Sequence, residues 1–144
     1  MQNTLMVRPK GELDPETRQD VRTIIDAADQ QMRSDERQVA APPQVDHFAP
    51  GLYARELHMP AGTIISSKIH KLTHFCFVMK GKALVVDEFH GGELIEAPCM
   101  IKTKAGTKRI LKVLEDSVWI TVHATEETDV SKIEQQIVIP EVQP

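Results

Sequence analysis

From Gly51 to His123 the chain is a succession of short apolar segments: LYARELHM, HFCFVM, KALVVDEF, CMIKTK, RILKVL and SVWITVH. Each has the length of a strand and is rich in β-branched or aromatic residues. Turn-forming residues separate them, with PAG at 60–62, Lys80-Gly81, HGGE at 90–93, AGT at 105–107 and Glu115-Asp116. No helical period intervenes, so the segments lack the crossover units that a parallel sheet requires. Roughly seven or eight short strands at this spacing predict an antiparallel sandwich or barrel. The chain has 144 residues, of which 41% are hydrophobic. That is enough for one domain with a real core and leaves little room for a second.

Two flanks lie outside this pattern. In DPETRQDVRTIIDAADQQMR, Asp14 is a natural N-cap, Pro15 suits the first helical position and Glu16 complements the positive end of the helix dipole. Val21, Ile24, Ile25, Ala28 and Met32 recur at helical spacing and form one apolar stripe. A lone helix of this length is marginal in water, so the stripe must dock: on this chain's own sheet, on another copy or on a different protein. The following SDERQVAAPPQVDHFAP is polar, carries three prolines and reads as a linker or extended strap. After the strands, TEETD supplies cap residues, and Val130, Ile133 and Ile137 predict a short amphipathic helix before an irregular tail. The expected divisions are therefore 1–50 for helix and strap, 51–125 for the barrel, and 126–144 for the second helix and tail.

Charge and composition exclude several classes. The net charge is −4, whereas a nucleic-acid-binding domain carries a basic excess. The basic run Lys102, Lys104, Lys108, Arg109 and Lys112 reads as a locally cationic strand pair. No apolar stretch approaches the ~20 residues that span a bilayer, so no membrane partner is expected. MQNTLMVRPKGELD lacks the apolar centre of a secretory signal, which suggests a cytoplasmic protein. Cys76 and Cys99 sit in apolar strand-like runs and read as buried reduced thiols. Gly91-Gly92 suits a hairpin turn better than a phosphate cradle. Trp119 reads as core, and His47, His58 and His90 as exposed.

One stretch carries chemistry. GTIISSKIHKLTHFCFVMKG, residues 62–81, places His70 and His74 four apart between two glycines. Its spacing resembles the first motif of the cupin superfamily, small jelly-roll β-barrels: Gly, five residues, His-x-His, three or four residues, Glu, six residues, Gly. Here Gly62, Lys68, His70, His74 and Gly81 hold those positions. Lys68 stands at the first histidine and His74 at the glutamate. The second motif, Pro-x-Gly-x-x-His, is approximated by Lys104-Ala105-Gly106-Thr107-Lys108-Arg109, with Arg109 at the histidine. The resemblance covers about residues 50–125 and implies an all-β cupin-type barrel with flanking helices. The texture IHKxxH, EAPC, GTKR and EDxVWxxVH is also similar to cupin-like proteins encoded by tailed phages and prophages. That likeness implies a host cytoplasm or a virion as the setting, and phage structural proteins as partners. Since cupin barrels often pair through their sheets, a homo-oligomer is expected.

The substitutions bear directly on chemistry. A divalent metal needs three or four protein ligands, and the ends of Lys68 and Arg109 repel a cation. A third imidazole is available at His123, which shares one face of the last predicted strand with Trp119 and Thr121. His70, His74 and His123 are thus the candidate ligands for iron, manganese or zinc, with Glu56 a weaker addition. Alternatively Lys68, His70, His74 and Arg109 form a cationic pocket suited to a carboxylate, phosphate or sugar acid. A third possibility is a purely structural network in which Lys68 and Arg109 pair with acids such as Glu56 or Glu96. The depleted motif favours a non-catalytic structural or assembly module without a cofactor. The alternative is a small metal-dependent enzyme of the dioxygenase or isomerase kind.

Overall fold

The computed structural model describes residues 6–7, 11–38 and 40–140. In chain order the elements are β1 (Met6–Val7), α1 (Pro15–Arg33), β2 (Gln44–Ala49), β3 (Leu52–Met59), β4 (Ile64–Ser66) and β5 (His74–Asp87). They continue with β6 (Gly91–Glu96), β7 (Cys99–Thr103), β8 (Arg109–Ala124) and α2 (Val130–Ile137). Hydrogen-bonded neighbours run β1-β7-β5-β8-β3-β2, with β4 added on β8 and β6 on β5. Every pairing is antiparallel except that of β1 with β7.

Two long strands organise the barrel. The first half of β5 pairs with β7 and with the second half of β8; its second half pairs with β6 and with the first half of β8. The β5–β8 register shifts between Val78 and Ala83, where both strands bend from one sheet half into the other. Cys76, Val78, Ile101 and Trp119 from one half meet Ala83, Val85, Ile95, Leu111 and Val113 from the other in one buried cluster. The expected turns at Lys80-Gly81 and Glu115-Asp116 are thus bends inside continuous strands. The residues there are turn-formers, but the two strands stay paired, as Lys82 opposite Glu115 demonstrates. Gly81 permits the bend: it has φ +92°, and a Cβ there would lie 2.2 Å from Ser117 Oγ.

The strap also differs from expectation, because residues 44–49 form the edge strand β2 against β3. Its side chains are almost all exposed, so no inward apolar alternation marks it in the sequence. The short β4 likewise lies in a stretch that carries no pattern of its own.

Both helices dock on their own barrel. Asp14 caps α1 through the Thr17 N–H. Ile25 is its one fully buried residue, and Ile24, expected in the stripe, is 68% exposed. Polar clamps complete the docking. Arg22 donates to both Glu88 carboxylate oxygens, at 2.8 and 2.7 Å, and to the Gly106 carbonyl at 2.9 Å. Asp29 accepts from Ser66 and lies 3.3 Å from the Nζ of buried Lys108. The α2 helix buries Ile133 and Ile137 with Tyr53 and Val138 in a second cluster. Beyond it, Lys71 N–H donates to Ile137 O and Ile139 N–H to Ile69 O, tying residues 137–139 to the loop that carries His70. The end of the tail, 141–144, lies outside the described residues. Among the described residues no helix is long and apolar enough to cross a membrane.

Candidate metal centre

The bend in β5 brings its two ends, His74 and Asp87, to the same mouth of the barrel. Register places the inward row there: Tyr53 lies opposite His123, and His74 lies opposite Thr103. The pairing of Cys76 with Thr121 makes His74 and His123 same-face neighbours one step further along. Arg55 lies in the next row, opposite Thr121, and Arg109 stands opposite Asp87 in the other sheet half. His70 enters from the loop after β4, held by a bridge to Val138. Three imidazoles from three different segments therefore converge.

One ring nitrogen from each lies within 4.8 Å of the other two. His70 Nδ1 and His123 Nε2 are 3.1 Å apart, and the ring centroids are separated by 4.4, 4.6 and 4.9 Å. His74 Nδ1 is 2.9 Å from the Leu72 carbonyl, which can only accept, so Nδ1 carries the proton. The Nε2 lone pair of His74 is thereby left available as a ligand, the outer-shell arrangement typical of metal-bound histidine. Burial drives all three pKa values down, to about 4 for His123 and about 2 for His70. The neighbouring imidazoles and Arg55 add to the effect at His70 and His123, and Arg109 adds to it at His70 and His74. All three are therefore neutral near pH 7, as ligation requires.

The fit to a divalent ion is good in distance and mixed in charge. Ligand nitrogens on bonds of about 2.1 Å lie at most ~4.2 Å apart, so a shift of under an ångström closes the widest possible spacing. Opposing the ion are the guanidiniums of Arg55 and Arg109, which are 5% and 8% exposed. Glu134 offsets the first of these by pairing with Arg55. It also accepts from Lys68 at 3.0 Å. Lys68 is therefore drawn to α2, away from Arg109, and its side chain is 53% exposed. Of the residues expected to line a cationic pocket, His70, His74 and Arg109 share the mouth, while Lys68 stands at its rim.

Comparison with solved structures identifies the architecture. KdgF from Halomonas sp. matches with a TM-score of 0.52 at 16% identity, over 69% of this chain and 92% of that one. A cupin 2 conserved barrel domain protein from Leptotrichia buccalis matches with a TM-score of 0.50 at 12% identity, over 68% of this chain and 49% of that one. The fold is a cupin barrel. Fe(II)-HppE with an alternative substrate also carries it, with a TM-score of 0.51 at 12% identity over 62% of this chain and 53% of that one. No protein-family model matches the sequence, and neither does any curated protein.

Within the cupin barrel, Glu56 points away from the mouth and is held between His47 and His58 on the outer face. It is not positioned to add a ligand to the trio. His90, expected to be exposed, is half-buried, with Nδ1 3.2 Å from Asp87. Cys76 and Cys99 are both buried, as expected. Sequence reasoning missed Arg55, Thr103 and Asp87. Alternation along LYARELHM was the available signal for Arg55, since Tyr53 and Met59 are inward at the same period.

Proposed function

We propose that this cupin barrel binds one divalent metal through His70, His74 and His123 and uses it on a small molecule entering the mouth. The observation that carries the reading is the convergence of three neutral imidazoles, one of them fixed in the ligating tautomer by the Leu72 carbonyl. An all-imidazole set suits zinc or iron better than manganese. Three protein ligands leave coordination positions open, and a bound ion would supply Lewis-acid polarisation of an oxygen-bearing ligand. The chain's own contribution is orientation: the strands fix His74 and His123, and the α2 tether fixes His70. The iron in the name Fe(II)-HppE supports the reading by analogy of fold.

The test is elemental analysis of protein purified without chelator. Near-stoichiometric zinc or iron is expected in the wild type and a loss of at least about tenfold in affinity in His70→Ala and His123→Ala. Metal-free wild-type protein, or full metal retained when His70→Ala and His123→Ala are combined, would sink the proposal.

Assembly with further copies is a second reading, supported by the outer sheet face. Leu84, Leu94 and Ile64 neighbour one another there on one sheet half and are 44%, 51% and 54% exposed. Light scattering of wild-type and Leu94→Lys protein tests it: a monomeric wild type, or an unchanged particle mass in the variant, removes the reading. The N-terminal helix lends it no support, because α1 docks on its own barrel.

A further inference from the structure

Beside the imidazole trio lies a second polar space. A cavity of about 230 Å³ opens between the β5–β6 hairpin and the β7–β8 turn, with Arg109, Thr103 and Asp87 among its walls and Lys104 and Glu12 beside them. Thr103 is its most telling member. It is 7% exposed, and among the described residues its hydroxyl has no hydrogen-bond partner. A buried hydroxyl without a partner is costly to the fold, which directs attention to what fills the space. Arg109 offers five donors in a planar fork, so a partner elsewhere does not exhaust it. Asp87 is occupied by the Phe89 and His90 N–H groups, at 2.8 and 2.7 Å, and by the His90 ring.

The N-terminal segment fastens itself over this cavity. Leu13 N–H donates to Phe89 O at 2.6 Å, and Glu12 forms an ion pair with Lys104. Lys104 Nζ also lies 5.1 Å from the centre of the Phe89 ring. Glu12 thus brings a carboxylate of the chain itself to the cation at the cavity rim.

We propose that the cavity binds a small carboxylate, with Arg109 and the Thr103 hydroxyl as its recognition groups and Glu12 as a tethered competitor at Lys104. At about 230 Å³ it falls below the ~300 Å³ at which sites for drug-sized ligands begin, so the ligand is an acid of few carbons. A planar fork beside a hydroxyl suits the two oxygens of a carboxylate better than the tetrahedral oxygens of a phosphate. Because Thr103 pairs directly with His74, the acid would lie against the wall of the imidazole trio. The pocket's cations belong to the protein, so the binding does not require a metal.

Calorimetric titration of chelator-treated full-length protein with sodium malonate, at constant ionic strength, tests the proposal. One-to-one binding is expected, weakened about tenfold in Thr103→Val and about ten- to a hundredfold in Arg109→Gln. Glu12→Gln is expected to tighten it about two- to fivefold, the effect of releasing one exposed ion pair. If Arg109→Gln does not fold, Thr103→Val still decides, because the hydroxyl it removes has no partner among the described residues. Its thermal midpoint should not fall while its affinity does. Absence of malonate binding in both wild type and Glu12→Gln overturns the proposal, as does binding that Thr103→Val leaves unchanged. Binding of inorganic phosphate in preference to malonate overturns the carboxylate class, and unchanged affinity in Glu12→Gln overturns the competitor. Removal of the metal beforehand keeps these results separate from the metal analysis of the trio.

Discussion

Burial sets the ionisation of the trio, and it does so at a cost to the fold that depends on pH. Unfolded histidine titrates near 6.5, whereas the folded chain holds His123 to about 4 and His70 to about 2. Below pH ~6.5 the unfolded state therefore binds protons that the folded state refuses, and stability falls as pH falls. The loss runs from about 6.5 down to about 4 for His123 and further for His70. In chelator-treated protein the urea midpoint is expected to drop between pH ~7 and ~4.5, and to drop less in His123→Gln. Parallel pH profiles for the two proteins would contradict the assignment. At this scale the sequence was partly legible. His70 and His74 announced themselves by spacing, and His123 by its alternation with Trp119. Lys68 misled because its partner, Glu134, lies 66 residues away on a helix that pattern alone cannot aim.

Strand identity was easier to read than strand continuity. LYARELHM coincides with β3, and CMIKTK overlaps β7, because each is bounded by true turns. By contrast β5 and β8 each appear in the sequence as two strands, since a bend between sheet halves uses the same residues as a hairpin. The motif glycines make this distinction testable. Gly62 and Gly81 both have positive φ, +87° and +92°, so alanine strains the backbone by about 1–2 kcal/mol at either. At Gly62 a Cβ meets nothing within 4 Å, while at Gly81 it would sit 2.5 Å from Asp116 O and 2.8 Å from Ser117 Cα. Gly81→Ala should therefore destabilise by about 1–3 kcal/mol more than Gly62→Ala, the cost of overpacking. Equal losses in chemical denaturation would show that the bend can relax around a methyl group.

For the molecule as a whole, the N-terminal helix is part of the domain. The apolar stripe foretold a docking face, but not that polar clamps would do much of the holding. Lys108 is 3% exposed, and Asp29 is the carboxylate 3.3 Å from its ammonium. Asp29→Asn leaves that buried charge without its counter-ion, at a cost of about 3 kcal/mol. The expected result is a lower unfolding midpoint with a single transition, because helix and barrel unfold together. A separate early transition for the helix would show the two to be independent. The divisions expected at 50 and 125 follow composition, whereas packing joins both flanks to the barrel.

The barrel's core and its mouth differ in kind. Val78, Ala83, Val113 and Trp119 belong to the apolar core, while ionisable and hydroxyl side chains collect at the mouth. Frame and chemistry are thus written in separate sets of residues on the same strands. Such a division makes the domain evolvable: substitutions at the mouth change what it recognises while the apolar core continues to specify the shape. At 12–16% identity, the solved structures that match this chain keep the barrel fold with few of the same residues.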